Sequence, residues 1–213
     1  MTILFDSDGT LIDSTEAIVE SFFWACDEYG FKRPEATTIH SLIGYPLDVM
    51  FAQVGVQEDV VWDFVAAYKR HYRKISKQKT VLLPYAKEAV DRASQFARLG
   101  IVTTKTARYS RELMEHFGVM GYFEVLIGRE DVTHPKPHPE PVLKALEVMG
   151  IKAGIDVVLI GDTKLDLEAA KRAGIGGVGV LSGYGSKEEL EVFSFPVVED
   201  VTEAVTLLKK AKK

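Results

Sequence analysis

Asp6 and Asp8 stand two residues apart in Phe5-Asp6-Ser7-Asp8-Gly9-Thr10, a spacing suited to chemistry on an anion. Thr103-Thr104-Lys105 follows much later, then Lys136 inside His134-Pro135-Lys136-Pro137-His138-Pro139, and last Gly161-Asp162-Thr163-Lys164-Leu165-Asp166. Crowded carboxylates repel one another, and a lone buried charge is costly. A hard divalent cation with oxygen ligands removes that conflict, and Mg2+ suits a site completed by water and phosphate. Lysine and threonine supply donors for anionic oxygens. On an extended strand Asp6 and Asp8 project to one side and Ser7 to the other, and Gly9 permits a sharp turn.

Short apolar runs at 2–5, 101–104, 125–128, 157–160 and 177–180 read as buried strands that would bring these groups together. Stretches of helical period lie between the later ones. Ala86, Ala89, Val90, Ala93, Phe96 and Ala97 share one face, with Gly100 as a stop signal; Val142, Leu143, Leu146 and Met149 precede Gly150, and Leu167, Ala170 and Ala173 precede Gly174. Alternating strand and helix with near-continuous apolar strands predicts a parallel sheet covered on both faces. In such sheets functional groups gather at the carboxyl ends of the strands. Residues 14–80 break the rhythm with helical stripes only, such as Ile18, Phe22 and Cys26, or Val61, Phe64, Val65, Tyr68 and Tyr72. The reading is an α/β fold: a Rossmann-like, doubly wound parallel sheet made from 1–13 and 81–213, with an α-helical cap inserted at 14–80.

These residues resemble the haloacid dehalogenase superfamily, in particular its phosphatases with a helical cap after the first strand. Asp6 to Thr10 match its aspartate-any-aspartate-glycine-threonine motif; Thr103, Lys136 and Gly161-Asp162 with Asp166 match the other three, in order. The resemblance implies that Asp6 attacks phosphorus and forms an aspartyl phosphate, while Asp8 protonates the leaving oxygen and then deprotonates water. It further implies that Asp6, Asp162 and the backbone carbonyl of Asp8 hold Mg2+, with Asp166 in or just behind that shell. Thr103 and Lys136 would bind the phosphoryl oxygens, and Gly9 and Thr10 would add backbone donors. Thr104 and Lys105 lie where relatives often carry Asn and Lys, which implies that they bind substrate.

Plainer roles exist for several of these. Asp162 could merely cap a helix over 162–173, Asp166 could sit on an exposed helix face, and Thr104 and Lys105 could be loop packing. His134 and His138, separated by prolines, read as solvated loop residues. Ser7 replaces the Phe of many relatives, and facing away from both aspartates it should alter packing rather than chemistry.

Substrate choice is less legible. The loop Leu181-Ser182-Gly183-Tyr184-Gly185-Ser186 resembles the one after the last strand of phosphoglycolate phosphatases. Gly44, in Ser41-Leu42-Ile43-Gly44-Tyr45-Pro46, would let the cap backbone approach substrate. The expected substrate is therefore 2-phosphoglycolate or a similar small phosphorylated metabolite. A pyrophosphatase, a nucleotide or sugar phosphatase and a phosphosugar mutase share the resemblance. A dehalogenase does not call for Asp8 or a metal cluster, and a phosphoacceptor signalling domain has no use for the insertion.

The bulk properties agree with an enzyme acting on small molecules. The 213 residues carry a net charge of −5, which favours neither nucleic acid nor an anionic membrane. One cysteine, Cys26, rules out an internal disulfide framework. No apolar run approaches a membrane span, so a cytoplasmic protein, monomer or homodimer, is expected. Lys209, Lys210, Lys212 and Lys213 read as a helix C-terminus.

Overall fold

The structure is a computed structural model that describes residues 1–211. In chain order its elements are β1 (Thr2–Phe5), β2 (Ile12–Asp13), α1 (Thr15–Glu28), α2 (Ala36–Leu42), α3 (Leu47–Gln53), α4 (Val61–Ile75), β3 (Val81–Leu82), α5 (Ala86–Ser94), β4 (Arg98–Val102) and α6 (Ala107–His116). There follow β5 (Val125–Ile127), α7 (Glu140–Met149), β6 (Val157–Gly161), α8 (Lys164–Ala173), β7 (Gly176–Val180), α9 (Lys187–Glu191), β8 (Val197–Val198) and α10 (Val201–Ala211). The chain divides into two compact units, Met1–Asp13 with Leu82–Lys213, and Ser14–Val81.

Six strands of the first unit form one parallel sheet in the order β5-β4-β1-β6-β7-β8. Alternation along β1 decides its two faces. Ile3 and Phe5 join a core with Ile101, Ile160, Ala89 of α5, Leu113 of α6 and Val205 of α10. Leu4 points the other way, into a core with Val102, Leu159, Leu146 of α7 and Ala170 of α8. Helices therefore cover both faces, as near-continuous apolar strands require. From β1 the chain proceeds to β4 and β5 on one side, then returns to β6, β7 and β8 on the other. That reversal makes the carboxyl end of β1 a topological switch point, where such sheets open a crevice.

Gly100 departs from its predicted role as a helix stop. The stripe through Phe96 and Ala97 looks helical, but α5 ends at Ser94 and β4 already begins at Arg98. Gly100 lies inside β4, paired with Leu4 and Val125. A Cβ there would meet Val125 Cγ1 at 2.7 Å and Leu4 Cδ2 at 2.8 Å, so the strand needs glycine for close packing. The helices α7 and α8 do stop at Gly150 and Gly174.

The second unit is helical, built around α1 and α4. Phe22 stacks on Phe51 at 4.0 Å between ring centroids, and Phe51 packs in turn against Phe64 and Tyr68. Cys26 is fully buried, and burial pushes its thiol up to about 11, so it acts as a packing residue. No helix among the described residues is long and apolar enough to cross a membrane. Lys209 and Lys210 occupy the last turn of α10, while Lys212 and Lys213 lie outside the described residues.

Candidate active site

β1 delivers Asp6 directly to the switch point, where the Asp6 backbone N–H donates to Ile160 O at 2.9 Å. Beyond it the chain folds back tightly: Leu11 N and Ile12 N both donate to Ser7 O, and Gly9 adopts φ 78°. β4 ends beside it and places Thr103, and β6 ends at Gly161 before Asp162. Lys136 arrives from the segment between β5 and α7.

Lys136 joins these ends. The residue is 3% exposed, and its ammonium donates to Asp6 Oδ1 at 2.8 Å, Asp166 Oδ1 at 2.5 Å and Val102 O at 2.9 Å. Burial would lower the lysine, but Asp166 and Asp6 outweigh it and hold the ammonium above its usual range. Burial raises Asp6 to about 7; Lys136 opposes the rise, and the charges of Asp166 and Asp8 add to it. Asp162, fully buried, is pushed well above the ordinary carboxylate range by burial first and then by Asp6 and Asp166.

Asp6, Asp162 and Asp166 each offer a carboxylate oxygen, all within 4.8 Å of one another. One lysine does not balance three buried carboxylates, and a hard cation with oxygen ligands fits this donor set. The three contribute unequally. Asp6 Oδ2 accepts no hydrogen bond among the described residues, so one oxygen of Asp6 is anchored and the other is not. Asp166 has both oxygens engaged, since Oδ2 takes Thr163 N at 3.1 Å and Thr163 Oγ1 at 2.7 Å. It is buried at the start of α8, in a capping box with Thr163, and not on an exposed helix face. Thr163, rather than Asp162, occupies the N-cap position.

Asp162 is closely wrapped. Thr10 Oγ1 donates to its Oδ1 at 3.1 Å, and Tyr184 N to its Oδ2 at 2.9 Å. A Cβ on Gly9 would lie 2.2 Å from Asp162 Oδ2, and one on Gly183 would lie 2.0 Å from the same atom. Gly9 N is committed to Ile12 O. Gly9 and Thr10, expected to face substrate, thus hold the Asp162 carboxylate through a small contact surface and a buried hydroxyl. The Gly183-Tyr184-Gly185 loop serves the same carboxylate, and Ser182 Oγ ties it to Gly9 O at 2.8 Å.

Asp8 differs again. Its Oδ2 pairs with Lys105 Nζ at 3.1 Å, and its side chain is not one of the three clustered oxygens. Lys105 N donates to Thr103 Oγ1 at 3.2 Å, so Lys105 braces both residues, while Thr104 is half-buried beside it. Gly44 belongs to the helical unit, at φ 108°. Ser7 is the residue that sequence reasoning missed. It does not turn away: it is fully buried, and its hydroxyl lies 2.9 Å from Thr103 Oγ1 and donates to Asp8 Oδ2 at 3.3 Å. Strict alternation fails because β1 has already ended at Phe5 and the chain is turning.

The raised carboxyls give a prediction for the metal-free protein. In the folded state Asp6 and Asp162 keep protons that the unfolded chain releases near pH 4. Their stabilising contribution is complete below about pH 4 and, for Asp6, is lost as pH rises through about 7. Urea unfolding in a chelating buffer should show this decline between pH 4 and 7, and Mg2+ should abolish it. A flat profile without metal would contradict the burial of these groups.

Comparison with known proteins follows the same lines. A family model described as haloacid dehalogenase-like hydrolase matches residues 3–180. The chain is 30% identical over 204 residues to the probable phosphatase IndB of Dickeya dadantii, covering 93% of this chain and 88% of that protein. It is also 30% identical over 185 residues to the phosphoglycolate phosphatase of Aquifex aeolicus, covering 85% of each. A haloacid dehalogenase-like family hydrolase from Streptococcus pneumoniae superposes with a TM-score of 0.87 at 26% identity, over 97% of both chains.

Proposed function

The chain belongs to the haloacid dehalogenase-like hydrolases, as a phosphatase, and from that premise we propose a Mg2+-dependent phosphomonoesterase working through an aspartyl phosphate on Asp6. One observation carries the reading: Lys136 anchors Asp6 Oδ1 while Oδ2 accepts no hydrogen bond among the described residues. Such a carboxylate is oriented for attack on phosphorus. The acyl phosphate it would form splits one hard displacement into two easier ones.

In the first step a bond forms between Asp6 Oδ2 and phosphorus while the ester oxygen leaves, and Asp8 gives that oxygen a proton. In the second step Asp8 takes a proton from water as the water oxygen attacks phosphorus, and phosphate leaves Asp6. Thr103 and Lys136, each turning to substrate a hydrogen now held within the protein, donate to the phosphoryl oxygens, where charge accumulates. Asp6 and Asp162 would hold Mg2+ with the backbone carbonyl of Asp8, and Asp166 would act behind them by fixing Lys136. The bound cation supplies neutralisation of the transferring phosphoryl group.

Ser7 links the two halves of this machinery. Ser7 gives its one hydroxyl hydrogen to Asp8 Oδ2 and so accepts from Thr103 Oγ1, which itself receives Lys105 N–H; Ser7 thus fixes Asp8 and Thr103 relative to each other. Ser7→Ala should lower kcat about tenfold, the worth of roughly one hydrogen bond, with a smaller change in KM. Ser7→Thr should restore most of the loss. Steady-state kinetics on the two variants checks both statements.

Gly183→Ala acts on the metal instead. A Cβ at 2.0 Å from Asp162 Oδ2 forces that carboxylate to move. The Mg2+ concentration for half-maximal activity should rise by about 10- to 100-fold, the usual cost of disturbing a ligand's support. An unchanged Mg2+ titration curve would remove Asp162 from the metal shell.

The substrate proposed is 2-phosphoglycolate or a similarly small phosphorylated metabolite. Its support is the phosphoglycolate phosphatase relative, since the Gly183-Tyr184-Gly185 loop packs on Asp162 and is explained without substrate. Phosphate release across a panel of phosphoglycolate, sugar phosphates, nucleotides and pyrophosphate, with and without Mg2+, tests this. Preferred turnover of phosphoglycolate is expected; negligible turnover beside brisk release from another ester would overturn the substrate assignment.

A further inference from the structure

The segment that carries Lys136 holds a second cluster of metal-ligating groups. His134 and His138 flank Lys136 in sequence, and their ring centroids stand 4.7 Å apart with the planes tilted by 40°. Glu140 Oε2 lies 2.8 Å from His134 Nδ1 and 3.9 Å from His138 Nδ1. One ligand atom from each residue falls within 4.8 Å of the other two. The two imidazoles are 62% and 47% exposed, so an ion can reach them from solvent.

We propose that His134, His138 and Glu140 form a separate binding site for a borderline divalent transition metal of the zinc class, with water completing the coordination. Two imidazole nitrogens and a carboxylate, with one position open, are a donor set suited to Zn2+ and its neighbours. Mg2+ prefers oxygen ligands in octahedral geometry and dehydrates reluctantly, so it competes poorly here. The site is distinct from the Asp6, Asp162 and Asp166 cluster in both residues and chemistry, and it does not depend on the role assigned to Asp6.

The ligands are already arranged. Thr133 N and His134 N donate to the Glu140 carboxylate at 2.8 and 3.0 Å, which fixes its direction. Those bonds and the His134 side chain hold Glu140 down to about 2, so it presents a carboxylate throughout the neutral range. Glu140 N donates to His138 Nδ1 at 3.2 Å, which holds the ring beside the carboxylate with its proton on Nε2, and the ion must displace that N–H to take the Nδ1 lone pair. Pro135, Pro137 and Pro139 fix φ at alternate positions, which lowers the entropic cost of gathering the ligands. A second term opposes binding: Glu140 begins α7, and a helix N-terminus disfavours a cation by roughly two- to fivefold. Three convergent ligands outweigh both.

Metal uptake replaces the hydrogen bond between His134 Nδ1 and Glu140 Oε2, and the ring proton moves to Nε2 so that a neutral imidazole presents its Nδ1 lone pair to the ion. If the three residues only close the loop by hydrogen bonds, no stoichiometric uptake follows. The test uses the full chain saturated with Mg2+ and titrated with Co2+, followed by Zn2+. The expected result is one equivalent of Co2+ with the strong visible absorption of a four-coordinate, nitrogen-containing site, displaced by Zn2+. His134→Ala and His138→Ala should each weaken uptake by at least about tenfold. Turnover with Mg2+ alone should be unchanged in both. His134→Gln and His138→Gln, closer in size, repeat the comparison if either alanine variant misfolds. The proposal is overturned by no uptake in excess of Mg2+, by variants that bind as tightly as the parent, or by the weak spectrum of a six-coordinate oxygen site.

Discussion

Asp6→Asn is expected to lower kcat by at least roughly 10^4-fold, as removal of a covalent nucleophile does. The amide has the shape of the carboxylate but cannot attack phosphorus. Stability should move little. Burial already raises Asp6 to about 7, so its charge is costly near neutral pH, and Lys136 retains Asp166 and Val102 O. A loss of activity in a protein that melts like the parent therefore reports on chemistry. Activity surviving within tenfold would remove the covalent mechanism and leave only the family membership standing.

Lys136→Met is the second large effect, and it divides between folding and catalysis. The ammonium touches Asp6, Asp166 and a backbone carbonyl in a site closed to water. Removing one partner of a buried ion pair commonly costs about 3–5 kcal/mol, because the remaining charge is left uncompensated. The metal-free variant should lose stability of that order at pH 7 in urea unfolding. Mg2+ should return part of it, since a cation among the aspartates replaces some of the lost charge. Catalysis should not return: the loss of a donor to the phosphoryl group should lower kcat by about 10^2- to 10^3-fold even at saturating Mg2+. Equal stability of variant and parent without metal would show that Lys136 does not balance these carboxylates.

The legible part of the site consists of residues that end strands. Asp6, Thr103 and Asp162 follow β1, β4 and β6 directly, and apolar runs mark those strands in the sequence. Lys136 was legible through its motif, although nothing in its spacing reveals that it joins Asp6 to Asp166. The missed contacts belong to places where local periodicity stops applying. Ser7 meets Thr103 across 96 residues of chain and only after the chain has begun to turn. Lys105 reads as a substrate-binding candidate or as loop packing, and only folding sets it against Asp8. Gly100 followed an apparently helical stripe, but Leu4 and Val125 on neighbouring strands dictate its glycine.

The same distinction changes the meaning of the Gly183-Tyr184-Gly185 loop. In sequence it resembles a substrate signature; in space its glycines make room for Asp162 and its backbone donates to that carboxylate. A shared loop of this kind follows from a shared buried carboxylate, so it says little about the far end of the ester.

The most direct measurement is a rapid acid quench during turnover, followed by proteolysis and mass spectrometry of the phosphorylated peptide. With Mg2+ and a good phosphomonoester, a phosphoryl group should appear on the peptide containing Asp6 at a rate no slower than kcat, and be absent from Asp6→Asn. Phosphate release with no covalent phosphoprotein, or with the label on another residue, would contradict Asp6 as the nucleophile.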